Sequence, residues 1–255
     1  METANYLLIA VLISGLLGCV SSIETKRRAA DPQEAFSRHI KLAMQYIGSK
    51  NRDLARVHLQ KAARFESRDR RAKLHNGYGL LYQMEQETAL AEKHFRKAVS
   101  SDKTDSTTRY NFAAFLYNQG RFEEARKQMQ LVSADLDYER RPQAFYILGL
   151  AQRQIGQQAE ALRSFEKATQ LMPAFAPPYI EAAEIYFSQQ QLPVAKRALE
   201  QYSLLTQPTA KSLWLSVRIE DSFGNRDAAA SQGLKLKNLF PYSSENLEYQ
   251  NWLKQ

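Results

Sequence analysis

Between Pro142 and Phe175, in PQAFYILGLAQRQIGQQAEALRSFEKATQLMPAF, small and bulky apolar residues fall at fixed places in a unit of about 34 residues. With Pro142 as position one, Phe145 is fourth, Leu148 and Gly149 seventh and eighth, Ala161 twentieth, Phe165 twenty-fourth, Ala168 twenty-seventh and Pro173 thirty-second. The spacing predicts two helices folded back on each other. Such helices approach closely only where one presents a side chain no larger than Ala or Gly, which Gly149, Ala161 and Ala168 supply. A larger residue at Ala161 would overpack the seam at about 1 to 3 kcal/mol. Leu148 and Phe165 fill the space between the helices, Gly156 stands where the first must turn, and Pro173 cannot continue the second.

These are the positions of a tetratricopeptide (TPR) repeat, and the frame recurs along the chain. From Phe36 it takes in Leu42, Ala43, Tyr46, Ala55, Leu59 and Ala62, and after two extra residues, Arg70 and Arg71, it restarts at Ala72 with Tyr78, Gly79, Tyr82, Ala91, Phe95 and Ala98. From Ser106 it takes in Phe112, Ala113, Leu116, Gly120, Ala125, Met129 and Val132. From Ala176 it takes in Ala182, Ala183, Tyr186, Ala195 and Leu199. A sixth, looser unit has Leu215, Ser216 and Ile219 in its first helix, and Ala229 and Pro241 in its second after one inserted residue. The expected fold is all-α, a right-handed TPR superhelix over 32–241 with repeats near 36–69, 72–105, 106–139, 142–175, 176–209 and 210–241. Residues 242–255 form a cap or tail, with Trp252 and Leu253 as anchors.

The eight prolines test the frame, because a proline inside a helix costs about 3 kcal/mol. Pro32, Pro142, Pro177, Pro178 and Pro193 fall at or just before predicted helix starts, and Pro173, Pro208 and Pro241 where second helices end. Asp31, Pro32 and Glu34 make a helix start, with an acid at the N-cap, Pro at the first helical position and an acid in the first turn. A hydrophobic fraction of 44% and a charged fraction of 24% suit one helix-rich unit. The formal charge of +8 could point to nucleic acid or an anionic surface, but the basic residues are interspersed with acids along the helices, as on solvated faces.

Tyr6 to Gly18 is an uncharged apolar run ending in Leu16-Leu17-Gly18-Cys19. It is shorter than the roughly 20 apolar residues that span a bilayer, so 1–18 reads as an export signal, although Met1 to Asn5 lacks the usual Lys or Arg. Cys19 is the only cysteine, so an internal disulfide is impossible, and an acylated thiol accounts for it. Leu-Leu-Gly-Cys is similar to the lipobox of bacterial lipoproteins, whose cysteine carries the lipid, and Val20 in place of Asp fits release to the outer membrane of Gram-negative cells. Residues 19–31, with Lys26, Arg27 and Arg28, then read as a flexible tether.

No catalytic pattern is present. His39, His58, His75 and His94 lie on separate predicted helices without HExxH spacing, Gly77-Tyr78-Gly79 sits inside a helix, and there is no GxSxG or Walker motif. The repeats consume about 205 residues and leave no room for a catalytic domain. The expectation is a non-enzymatic binding protein without cofactor, metal, nucleic acid or small-molecule substrate.

A TPR array binds a peptide or partner helix on the concave surface lined by the first helix of each repeat. Inward positions two, five, nine, twelve and thirteen place there Ile40, Met44 and Ile47, then Asn76, Leu80, Gln83 and Met84, then Tyr110, Tyr117 and Asn118, then Tyr146 and Leu150. Each of these either faces the groove or packs between neighbouring repeats. The Lys, Asn and Arg set that clamps a C-terminal carboxylate in chaperone-binding TPR domains is missing.

The chain resembles a family at this point, the type IV pilus biogenesis lipoproteins PilF and PilW. The resemblance rests on Leu-Leu-Gly-Cys19, the six repeats, the run from Tyr110 to Ala125 (YNFAAFLYNQGRFEEA), Arg226 to Ser231, Leu234 to Lys237, Phe240-Pro241 and Leu247 to Gln250. It implies a pilotin, an outer-membrane lipoprotein facing the periplasm that binds subunits of the pilus secretin and promotes their localisation and multimerisation, in support of pilus assembly and twitching motility. Cys19 would be the lipid attachment and the early repeats the secretin groove. The alternatives are a TPR lipoprotein of outer-membrane β-barrel assembly or a generic periplasmic scaffold.

Overall fold

The computed structural model describes residues 31 to 254. Among the described residues there are thirteen helices and no strand: α1 (Pro32–Gly48), α2 (Arg52–Ala63), α3 (Arg71–Met84), α4 (Thr88–Ser101), α5 (Ser106–Asn118), α6 (Phe122–Ala134), α7 (Arg141–Gln154), α8 (Gln158–Leu171), α9 (Pro177–Ser188), α10 (Leu192–Leu205), α11 (Ala210–Ser222), α12 (Arg226–Leu239) and α13 (Ser244–Trp252). The first twelve pair as six hairpins stacked in chain order, and α13 closes the array. Helix starts follow local chemistry. Asp31, Asn51, Asp105, Thr209 and Ser243 each accept a first-turn backbone N–H with their side chains, and Thr209 and Ser212 form a reciprocal capping box. Prolines lie in the first two positions of α1, α7, α9 and α10, or beyond helix ends at Pro173, Pro208 and Pro241.

The six hairpins share one turn. Each has a residue in the left-handed region, Lys50, Gln86, Gly120, Gly156, Gln190 and Gly224, with φ from 58° to 80°. The N–H of the next residue returns to the carbonyl five residues earlier at 2.8 to 3.0 Å, as from Asn51 to Tyr46 and from Gln157 to Gln152. This is the Schellman closure, which satisfies two helix-end carbonyls in the space of two residues and sends the chain back antiparallel.

Inside each of the first five hairpins the seam is narrow. Ala55, Ala91, Ala125, Ala161 and Ala195 are fully buried, one per second helix, and four residues on stand Leu59, Phe95, Met129, Phe165 and Leu199. Phe95 and Phe165 lie over Gly79 and Gly149 of their own first helices, Leu59 lies against Gly77 of the next repeat, and Phe95 also reaches the next repeat at ring distances of 6.0 Å to Phe112 and 5.3 Å to Phe115. The core is therefore a row of linked clusters along the stack. The sixth hairpin breaks the pattern: the bulky position holds Gly233, and the Tyr249 ring of α13 occupies the space beside it. Trp214, Tyr249 and Trp252 cluster there at ring distances of 6.0 to 6.3 Å, with Trp214 edge-on to the other two, and the Trp214 indole donates to Glu248.

Candidate partner-binding groove

The first helices α1, α3, α5, α7, α9 and α11 carry the candidate surface, and the twelve expected groove residues divide by burial. Ile40, Ile47 and Met84 are half-buried against the cluster of Phe36, Leu74 and Leu81, and Met44 is half-buried with its methyl beside Gly77. Leu80 and Tyr117 are half-buried against the cluster of Phe112 and Phe115, and the Tyr117 ring meets Phe122 edge-on at 5.2 Å. Tyr146 and Leu150 pack half-exposed on Phe165 and Ala182, with Phe175 edge-on to Tyr146 at 5.4 Å. Burial pushes the Tyr146 phenol up to about 12, so it stays neutral. Gln83 is half-buried and Asn118 exposed. The half-exposed set is apolar and aromatic with amides among it, a surface suited to apolar side chains of a peptide or helix.

Two expected groove residues are corrected to packing. Tyr110 is only 7% exposed, in a cluster with Met129, Val132, Ala144 and Leu148. The connection between α6 and α7 folds over it, bringing Tyr138 to a ring distance of 6.0 Å and the Arg140 guanidinium to 4.4 Å from the ring, with Nη2 donating to the Tyr110 hydroxyl at 3.2 Å. Asn76 is also buried, and its Oδ1 accepts from Asn111 Nδ2 at 3.1 Å, a side-chain link between α3 and α5. Cys19 lies outside the described residues.

Two features were not anticipated from the sequence. The histidines occur in two pairs across hairpins: His39 and His58 meet Nδ1 to Nδ1 at 3.1 Å, and His75 and His94 at 3.0 Å. Both pairs are 19 residues apart, which is the signal that could have found them. Among the described residues no group of three or more His, Cys, Asp or Glu could hold a metal ion. The second feature is ionic. Across α7, α9 and α11, Arg153 donates to Glu181 and, at 3.2 Å, to Glu184, while Lys211 Nζ lies 2.9 Å from Glu181 and 3.0 Å from Glu184. Carrying inward positions nine and twelve into the later repeats would have reached Arg153, Glu184 and Phe187. A separate cavity of about 210 Å³, lined by Phe165, Tyr179, Ala182, Tyr186 and Val194, lies between α8, α9 and α10 and includes none of the expected groove residues.

Comparison with known proteins places these features in context. The tetratricopeptide repeat family model matches residues 142–175. The type IV pilus assembly protein PilF of Pseudomonas aeruginosa is 33% identical over 253 residues, covering 97% of this chain and 98% of that protein. A solved structure from the functional characterisation of Pseudomonas aeruginosa PilF superposes with a TM-score of 0.80 at 32% identity, over 86% of this chain and 98% of that one. The crystal structure of PilW, described as a widely conserved type IV pilus biogenesis factor, gives a TM-score of 0.73 at 22% identity over 84% of this chain and 98% of its own, a likeness of fold.

Proposed function

The chain belongs to the family of the type IV pilus assembly protein PilF, and from that membership we propose that it acts as a pilotin, binding secretin subunits of the pilus and promoting their arrival and multimerisation at the outer membrane. The observation that carries this reading is the end-to-end similarity, which takes in the repeats, the connecting turns and the closing helix together. The chemistry of the first-helix surface supports it. Met44, Leu80, Tyr117, Tyr146 and Leu150 leave apolar and aromatic area part-exposed on a scaffold whose backbone is fixed by repeated turns, so a partner would meet a preorganised surface. In this reading the protein holds and positions a partner and performs no bond chemistry.

The proposed anchor is lipid on Cys19, on the strength of the Leu-Leu-Gly-Cys motif after an apolar run. Two acyl chains would hold the protein stably at the periplasmic face of the outer membrane, where one chain alone would not. Among the described residues no helix is long and apolar enough to cross a membrane. The test is co-purification of the full chain with the periplasmic part of the pilus secretin. Capture should fall when Leu80 and Tyr117 are both changed to Ser, with the melting transition retained. Undiminished capture by that variant would remove the groove from the proposal.

A further inference from the structure

At the C-terminal end of the first-helix surface, the Arg218 side chain lies between two aromatic rings, its Cζ 5.0 Å from the Phe187 ring centre and 5.4 Å from that of Trp214. Phe187 comes from α9, while Arg218 and Trp214 share α11, so the guanidinium is gripped across a repeat boundary. Its charge is unanswered. Among the described residues no carboxylate lies within 4 Å, no acceptor takes a hydrogen bond from the guanidinium, and Nε is buried without a partner. The acids that act on it from a distance are committed elsewhere: Glu184 to Arg153 and Lys211, and Glu248 to the Trp214 indole at 2.7 Å. Burial lowers the Arg218 pKa, while Glu184 and Glu248 oppose that shift from a distance. A guanidinium remains charged even so.

Most partly buried arginines among the described residues have found an acid, as Arg56 has Glu85 and Arg121 has Glu92 and Glu124. Arg218 instead has two aromatic rings beside its guanidinium and no acceptor on its N–H groups. Contact with aromatic rings holds a guanidinium without using its N–H donors, which stay available for two parallel hydrogen bonds to a carboxylate. The rings also remove much of the rotamer freedom that binding would otherwise have to freeze.

We propose that Arg218, held by Phe187 and Trp214, is a seat for a carboxylate of a polypeptide lying along repeats five and six. The carboxylate belongs to an acidic side chain or to a chain terminus. The inference does not rest on the secretin reading, and it concerns residues apart from the apolar groove of the earlier repeats.

The test uses the full chain and its two tryptophans, of which Trp214 reports directly on the site. Three peptides are titrated and tryptophan emission is followed: tetraglutamate blocked at both ends, tetraglutamine with a free C-terminus, and tetraglutamine blocked at both ends. Saturable change is expected with at least one of the first two and not with the third, and which of the two binds identifies the source of the carboxylate. Arg218→Gln should weaken that binding roughly tenfold, as loss of hydrogen bonds to a charged group does. Lys127→Gln, which removes the same charge from an exposed position on α6, should change it less than about twofold. Absence of saturation with both carboxylate peptides, or equal weakening by the two variants, would overturn the proposal. If Arg218→Gln loses its cooperative melt, Arg218→Lys takes its place, because an ammonium keeps the charge without the fork; affinity unchanged in that variant would equally overturn it.

Discussion

Gly149 faces Phe165 across the fourth hairpin so closely that a Cβ on Gly149 would stand 2.6 Å from Phe165 Cε1. Gly79 meets Phe95 in the same way in the second, at 2.7 Å. Gly149→Ala should therefore lower stability by about 1 to 3 kcal/mol through overpacking, although Ala is the better helix former by about 1 kcal/mol. Gly48→Ala, with no neighbour within 4 Å of the added Cβ, should be neutral or stabilising. Urea unfolding of the two variants checks the contrast.

Three of the six left-handed turn positions, Lys50, Gln86 and Gln190, are not glycine. A side chain there costs about 1 to 2 kcal/mol relative to the right-handed region. Gln190→Gly is expected to raise stability by about 1 kcal/mol, and Gly156→Ala, at φ 80°, to lower it by a similar amount. Denaturant midpoints at equal m-value distinguish the two directions.

The His75–His94 contact makes the N-terminal half sensitive to acid. Burial, then Lys97 and the His94 ring, hold His75 down at about 4, while burial and the neighbouring lysines also lower His94. One Nδ1 must donate and the other accept at 3.0 Å, so protonating both rings would set two N–H groups face to face. Between pH 6.5 and 4 the unfolded chain binds more protons at His75 than the folded one. The stabilisation is complete above 6.5 and is lost as pH falls toward 4. Stability at pH 5 should be lower than at pH 7 by on the order of 1 to 2 kcal/mol from this residue, and His75→Gln should flatten that slope.

The last helix is held by a reversal of the seam rule. A Cβ on Gly233 would come within 2.1 Å of Tyr249 Cζ, so Gly233→Ala should loosen α13 from the stack. Tyr249→Ala should cost about 3 to 5 kcal/mol by emptying the same space. Near-ultraviolet circular dichroism from Trp214 and Trp252, which adjoin this ring, should collapse in both variants while far-ultraviolet helicity is largely kept.

The fold was legible because its rules are sizes at fixed spacings. Ala161, Phe165 and Ala168 announce a seam by the room they leave or fill, and proline marks every boundary it touches. The left-handed Lys50 and Gln190 were not legible, since turn closure by backbone bonds imposes that conformation on whatever residue stands there. For the groove, helical position predicted a face but not what covers it: the loop carrying Tyr138 and Arg140 buries Tyr110, and Asn111 from the next repeat engages Asn76. Arg218 and Trp214 stand at inward positions nine and five of the sixth repeat, so the frame reaches them when carried that far, but their meeting with Phe187 of the fifth repeat is a juxtaposition that no single-repeat frame displays.

The most direct measurement is made in a deletion strain, with outer and inner membranes separated and the pilus secretin detected as heat-resistant multimer or as monomer, alongside complementation by the wild type and by Cys19→Ala. Loss of the multimer with porins unchanged, restored by the wild type, is the expected result. The Cys19→Ala strain then reports whether the proposed lipid is needed for assembly or for location alone. A secretin multimer unchanged in amount and membrane fraction in the deletion strain would contradict the pilotin assignment outright.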